Sequence, residues 1–271
     1  MTMLDGKVAL VTGAARGQGR SHCVRLAREG AAVIALDVCA AVSGDNAYPA
    51  ATRADLDETL ALVKADGGTG VAHVVDVRDG TGLASAVDES VGALGGRLDV
   101  VVANAGISNW NRHWEMTEEQ WQTMIDINLT GVWRTLRATV PHMIAAGNGG
   151  SIITISSVAG LKSLPGQAHY SAAKHGVVGL TKTAAIELGE YGIRVNSIHP
   201  WAVATPMGEG GGVRRILAEH PRYEAAFASL LPGIPIATPD DVTDGVIWLA
   251  SDLSRTVTGT QLTLDMGATK I

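Results

Sequence analysis

The chain has 271 residues, 46% of them hydrophobic, which suits one large α/β domain with an ample core and requires no second one. A net charge of −6 argues against a nucleic-acid partner, because phosphate backbones are held by basic surfaces. Cys23 and Cys39 form no Cys-x-x-Cys pair, nothing resembles a metal-ligand cluster, and no apolar run approaches a membrane span.

In chain order, a short apolar strand over Val8 to Thr12 leads into Gly13-Ala14-Ala15-Arg16-Gly17-Gln18-Gly19, and a helical stretch follows from Ser21 to Glu29. Strand, glycine turn and helix make a nucleotide-binding opening. Glycines let backbone approach a pyrophosphate closely, and the free N–H groups at the helix start attract its charge. Gly13, Arg16, Gly17, Gln18 and Gly19 are the candidate contacts, and no Gly-Lys-Ser/Thr follows to make a P-loop. A second strand, Ala32 to Leu36, ends in Asp37, 18 residues past Gly19. An acid there commonly accepts hydrogen bonds from the adenosine ribose and repels a 2′-phosphate. Arg16 would welcome that phosphate, but a carboxylate directly on the ribose favours NAD over NADP; a turn-forming acid is the plainer reading of Asp37. Val38 to Arg53, with Gly44, Asp45, Asn46 and Pro49, is an insertion that reads either as a surface loop or as a cover over the cofactor.

Further strands are expected over Val71 to Val75, Val100 to Ala103, Ser151 to Ile155, Arg194 to His199 and Gln261 to Leu264, with a long helix near Thr117 to Ala146. Such alternation implies a single Rossmann-type, doubly wound domain over 1–271, a seven-stranded parallel sheet flanked by helices, with ligands at the C-terminal strand ends. Tyr170 and Lys174 stand four apart on a helix, and Ser157 precedes the tyrosine by 13 residues. Lys174 would then lie beside Tyr170 and favour its phenolate; bringing a phenol from its ordinary pKa of about 10 to near neutrality takes about 3–4 kcal/mol. Pro200 to Pro239, with Gly210-Gly211-Gly212, Pro232-Gly233 and a helical stretch near Val213 to Leu230, reads as a mobile substrate lid.

In their order along the chain, the Thr12 to Gly19 loop, Asp76-Val77, Asn104-Ala105-Gly106, Asn128, Ser157 and Tyr170 with Lys174 resemble the motifs of the short-chain dehydrogenase/reductases. The resemblance covers nearly the whole chain. It implies that Tyr170 exchanges a proton with an alcohol while hydride moves to a nicotinamide, that Ser157 binds the substrate oxygen, and that Lys174 also holds the nicotinamide ribose. Ser156 competes with Ser157 and reads better as a strand-end residue bonded to backbone. Asn128 would anchor a water relay from Lys174, or simply mark a kink in its helix. Asn104 and Gly106 would approach the adenosine ribose, Asp76 and Val77 the adenine, and Val203 and Thr205 the carboxamide. Trp201 departs from the small residue usual after that proline, so either its loop is displaced or the indole narrows the nicotinamide pocket.

The Val38 to Arg53 segment, Tyr48-Pro49 and the run Trp110 to Thr117 are similar to a mycofactocin-coupled, carveol-dehydrogenase-like branch, where NAD stays bound under the extra segment and a peptide-derived carrier reoxidises it. Trp110, Trp114, Trp201 and Met207 would wall a roomy apolar pocket for a terpenoid or alicyclic alcohol, unless the tryptophans pack a core or subunit interface; His113 and His169 would line it. An ordinary carbonyl reductase exchanging free NAD(P)H uses the same residues. A nucleotide sensor on this fold would need no phenol. Small residues Ala172, Ala173, Gly176 and Gly179 suggest close helix pairing, and the resemblance implies a homotetramer. The opening Met1-Thr2-Met3-Leu4-Asp5 is unlike an export signal, so the cytoplasm is the expected location.

Overall fold

A computed structural model describes residues 2–209 and 211–271; Met1 and Gly210, the first of the three lid glycines, lie outside the described residues. The strands are β1 (Val8–Thr12), β2 (Ala32–Asp37), β3 (Gly70–Val74), β4 (Val100–Ala103), β5 (Gly150–Ile155), β6 (Ile193–Pro200) and β7 (Gln261–Leu264). They form one parallel sheet in the order β3-β2-β1-β4-β5-β6-β7. The chain therefore winds outward from β1 to one edge, returns to β4, and winds outward to the other. Loops leaving β1 and β4 diverge at that reversal and open a crevice.

Helices α1 (Gly17–Arg28), α2 (Arg53–Ala65), α3 (Gly80–Ala93), α4 (Glu118–Ile125), α5 (Gly131–Ala146), α6 (Ala168–Leu188), α7 (Pro206–Glu209), α8 (Gly212–Glu219) and α9 (Pro239–Ala250) complete the chain. Every residue of β1 and β4 is buried, as it must be when helices cover both faces. Val8 and Leu10 point to one layer with Leu83, Val87, Leu136, Met143 and Val177. Ala9 and Val11 point to the other with Cys23, Leu26, Leu56, Val246 and Leu249. Thr52, Thr117 and Thr238 start α2, α4 and α9 with reciprocal capping boxes to Asp55, Gln120 and Asp241, each stabilising by about 1 kcal/mol.

Three expectations about elements change. The predicted 117–146 helix is broken by a π turn at Asp126–Thr130 that carries Asn128, so the asparagine does mark an irregularity. The helix expected to reach Leu230 stops at Glu219 and gives way to a 3₁₀ segment, Pro221–Phe227, because a proline has no N–H to continue the ladder. The insertion ends one residue early, with Arg53 already the first residue of α2. No helix among the described residues is long and apolar enough to cross a membrane.

Candidate active site

The loops at the crevice enclose a cavity of about 510 Å³. It is lined on one side by the glycine turn, where two carbonyls are taken up by side chains. Arg20 donates to Ala15 O (2.8 Å) and Thr59 Oγ1 donates to Ala14 O and Ala15 O (both 3.0 Å). A side chain at Gly19 would overlap the Gly13 carbonyl oxygen, and one at Gly13, whose φ is +68°, would lie 2.9 Å from Ala105 Cα. Helix α1 begins here with no side-chain cap and no acid in its first turn, so its leading N–H groups remain available to an anion. Gln18 Oε1 and, across the cavity, Asn46 Oδ1 are buried without any hydrogen-bond partner among the described residues, although both residues line the space. The open helix start suits an anion and the two orphaned acceptors suit hydroxyl or amino donors, a combination that a dinucleotide presents.

Asp37 also lines the cavity, but part of its carboxylate is engaged: it accepts from Ala15 N (3.0 Å) and from Cys39 N (2.9 Å). It thus ties the glycine turn to the start of the insertion and keeps lone pairs free for a ribose. Asp76 is clamped by Arg78 (Nη2 2.6 Å, Nε 2.9 Å), whose hydrogen bonds outweigh burial and hold its carboxyl below the usual range. Val77 lies beside it on the wall. Asn104 lines the cavity and spends its amide on Thr12 O (2.9 Å), lacing β1 to β4.

The insertion lies across the cavity as a strap, lining it with Val38, Ala41, Val42, Asn46, Tyr48 and Ala51. Three hydrogen bonds fasten it: Arg16 donates to Pro49 O, Ser108 N donates to the Tyr48 hydroxyl (3.2 Å), and Gln120 Nε2 donates to Asp45 Oδ1 (2.9 Å). Arg16, a candidate cofactor contact that would welcome a 2′-phosphate, lines the cavity and donates to the strap.

At the inner end, Tyr170, Ser157, Lys174 and Asn128 come together from α6, the turn after β5 and the π turn. Lys174 is buried; its Nζ donates to Ile155 O (2.8 Å) and stands 5.5 Å from the Tyr170 ring centre, leaving two N–H groups unspent. Asn128 bonds both ways with the Ile107 backbone, each at 3.1 Å, so its side chain fixes the loop after β4. Gly106 fits between them, since a Cβ there would stand 2.5 Å from Asn128 Oδ1. Ser156 donates to Lys174 O (3.1 Å), which is the backbone role expected of it. The electrostatics reverse one expectation. Burial pushes the Tyr170 phenol up to about 12, against the pull of the nearby Ser157 side chain, and pulls Lys174 down to about 8. In the chain alone, desolvation dominates both groups.

The outer wall holds Trp110, Trp201, Met207, Val203 and Thr205, joined by Leu164, Gln167, Phe227 and Ile236, which the sequence did not point out. Phe227 bridges the two indoles, with ring centres 5.7 Å from Trp110 and 6.0 Å from Trp201. Trp201 lines the cavity together with Val203 and Thr205 of the same loop. Trp114 does not: it is 61% exposed, under the Arg112 guanidinium and against His113, and lines a separate groove outside the site. His113 lies in that groove too, and His169 is buried behind the wall, bonded to Asn109. The polar run between β4 and α4 carried no signal to separate Trp110 from Trp114, whereas the sole phenylalanine was visible as a composition outlier.

A family model described as enoyl-(acyl carrier protein) reductase matches residues 13–269. An uncharacterized NAD-dependent oxidoreductase of Mycobacterium tuberculosis is 56% identical, over 98% of this chain and 97% of its own. A (-)-trans-carveol dehydrogenase of Rhodococcus erythropolis is 45% identical over 99% of both. A short-chain dehydrogenase from Mycobacterium paratuberculosis bound to NAD superimposes with a TM-score of 0.97 at 46% identity, covering 99% of this chain and 100% of its own. With that match in sequence and in structure, and with Ser157, Tyr170 and Lys174 gathered at the crevice, the chain belongs to the short-chain dehydrogenase/reductase family.

Proposed function

We propose that the protein interconverts a hydrophobic secondary alcohol, terpenoid or alicyclic, with its ketone, using NAD that stays bound under the strap and is reoxidised by a peptide-derived carrier of the mycofactocin kind. The observation that carries the chemistry is the convergence of Ser157, Tyr170 and Lys174 in one cavity with an apolar outer wall. Tyr170 takes the alcohol proton; Ser157 hydrogen-bonds the substrate oxygen and stabilises the charge developing there. Lys174 stabilises the phenolate and, through its unspent N–H groups, holds the ribose beside it. Bound NAD supplies the hydride acceptor and a positive ring charge that offsets the cost of ionising Tyr170. Gly13, Gly17, Gln18, Gly19 and Asp37 would hold its pyrophosphate and adenosine, and Val203 and Thr205 its carboxamide. Trp110, Trp201, Phe227 and Met207 favour a bulky apolar substrate over a small or charged one. The three strap hydrogen bonds support retention of the cofactor. The outer faces of α5 and α6 expose Trp133 (43%) and Ile186 (83%), which supports a homotetramer paired through these helices.

Tyr170→Phe tests the reading. It should lower alcohol oxidation by about 100-fold or more while leaving NAD binding intact. A variant that keeps turnover would remove Tyr170 as the base, and a wild-type protein that binds NAD but turns over no alcohol would be a nucleotide sensor.

A further inference from the structure

One fully buried histidine touches the site from behind. His199 lies near the end of β6 with no solvent exposure, and both ring nitrogens are engaged: Nδ1 with the Ser157 carbonyl oxygen at 2.7 Å, and Nε2 with Ser197 Oγ at 2.8 Å. A carbonyl only accepts, so Nδ1 must carry the proton; Nε2 then accepts from the Ser197 hydroxyl. Burial pulls this imidazole down to about 4, so it is neutral at working pH and the Ser157 carbonyl selects the Nδ1–H tautomer. The Ser157 carbonyl also accepts from Gly160 N (2.9 Å), while its Oγ accepts from Ala159 N (3.1 Å). Ser157 is thereby held from both ends, in extended backbone at φ −172°, ψ 166°.

We infer that His199 is a positioning residue: its Nδ1–H fixes the Ser157 peptide so that the serine hydroxyl is presented to the substrate oxygen, and the Ser197 hydroxyl, donating to Nε2, holds the ring in that orientation. The inference rests on the role assigned to Ser157 above. No proton leaves the imidazole, and no bond to substrate or cofactor is involved. Gly160 N alone leaves the peptide plane free to tilt. A displacement near 1 Å at a reacting group costs about 100-fold in rate.

The test separates the two nitrogens. In His199→Asn an amide N–H takes the place of Nδ1, whereas His199→Gln reaches only the Nε2 position. The Asn variant should keep kcat within about threefold of wild type, and Gln and Leu should lose about 10- to 100-fold, with NAD affinity unchanged for all three. On a Ser157→Ala background, His199→Leu should add little further loss, because its effect passes through the serine. The milder Ser197→Ala should lower kcat several-fold. Nitrogen NMR of the wild-type imidazole gives a readout independent of activity, with Nδ1 protonated and Nε2 bare. Equal losses in Asn and Gln, full additivity with Ser157→Ala, or an Nε2–H tautomer would overturn the assignment. If wild type oxidises no alcohol, the proposed function fails by itself, and the tautomer still decides the hydrogen bond.

Discussion

Tyr170 and Lys174 show how a spacing can be legible while its energetics are not. Four residues on a helix put the ammonium beside the ring, and the structure keeps it there, 5.5 Å from the ring centre. The spacing carries no information about solvent, however, and burial raises the phenol to about 12 and lowers the amine to about 8. Tyr48, which adds to the rise at Tyr170, comes from a segment more than a hundred residues away. A consequence follows for catalysis. Alcohol oxidation needs the phenolate, so with a raised pKa its kcat should climb as pH rises through the neutral and alkaline range; ketone reduction needs the protonated phenol and should not climb. Initial rates in both directions across pH check this, and a flat oxidation profile would argue against Tyr170 as the base.

Among the elements, regular strands were more legible than irregular loops. Seven strands were readable because parallel strands buried on both faces become nearly continuous apolar runs, as in Val100–Ala103. Irregular backbone was harder. Asn128 was visible as an oddity in a helix, yet the π turn depends on its two bonds to Ile107, and the Trp201–Phe227 contact joins positions that no local pattern relates. Tyr48, whose hydroxyl accepts from Ser108 N, ties the strap to the loop after β4 and offers a test of the two readings of the insertion. Tyr48→Phe removes that acceptor and leaves a backbone N–H unpaired. Losing about 1 kcal/mol should speed NAD release by roughly five- to tenfold, measurable by stopped-flow displacement with the hydride chemistry unchanged. An unchanged release rate would mean that the strap does not retain the cofactor.

At the scale of the whole molecule, stability and turnover both depend on groups the fold keeps dry. His22, His169 and His199 have no solvent exposure, and burial lowers them to about 3, 4 and 4. An unfolded chain binds these protons near the ordinary value of 6.5, so the folded state loses ground as pH falls below it, by about 1.4 kcal/mol per pH unit for each fully contributing group. Thermal melts should therefore drop steadily between pH 6.5 and 4.5 and stay level just above 6.5; a melting temperature constant across that acid range would contradict the burial of these rings. The central claim, an alcohol dehydrogenase that keeps its NAD, is tested most directly by counting turnovers. Purified protein is mixed with excess free NAD and a panel of cyclic and terpenoid secondary alcohols, and reduced nicotinamide is followed by absorbance against subunit concentration. The account predicts a signal that stops near one equivalent per subunit and resumes when an artificial electron acceptor is added. Accumulation far beyond one equivalent without an acceptor would contradict it and make the protein an ordinary dehydrogenase with a freely exchanging cofactor.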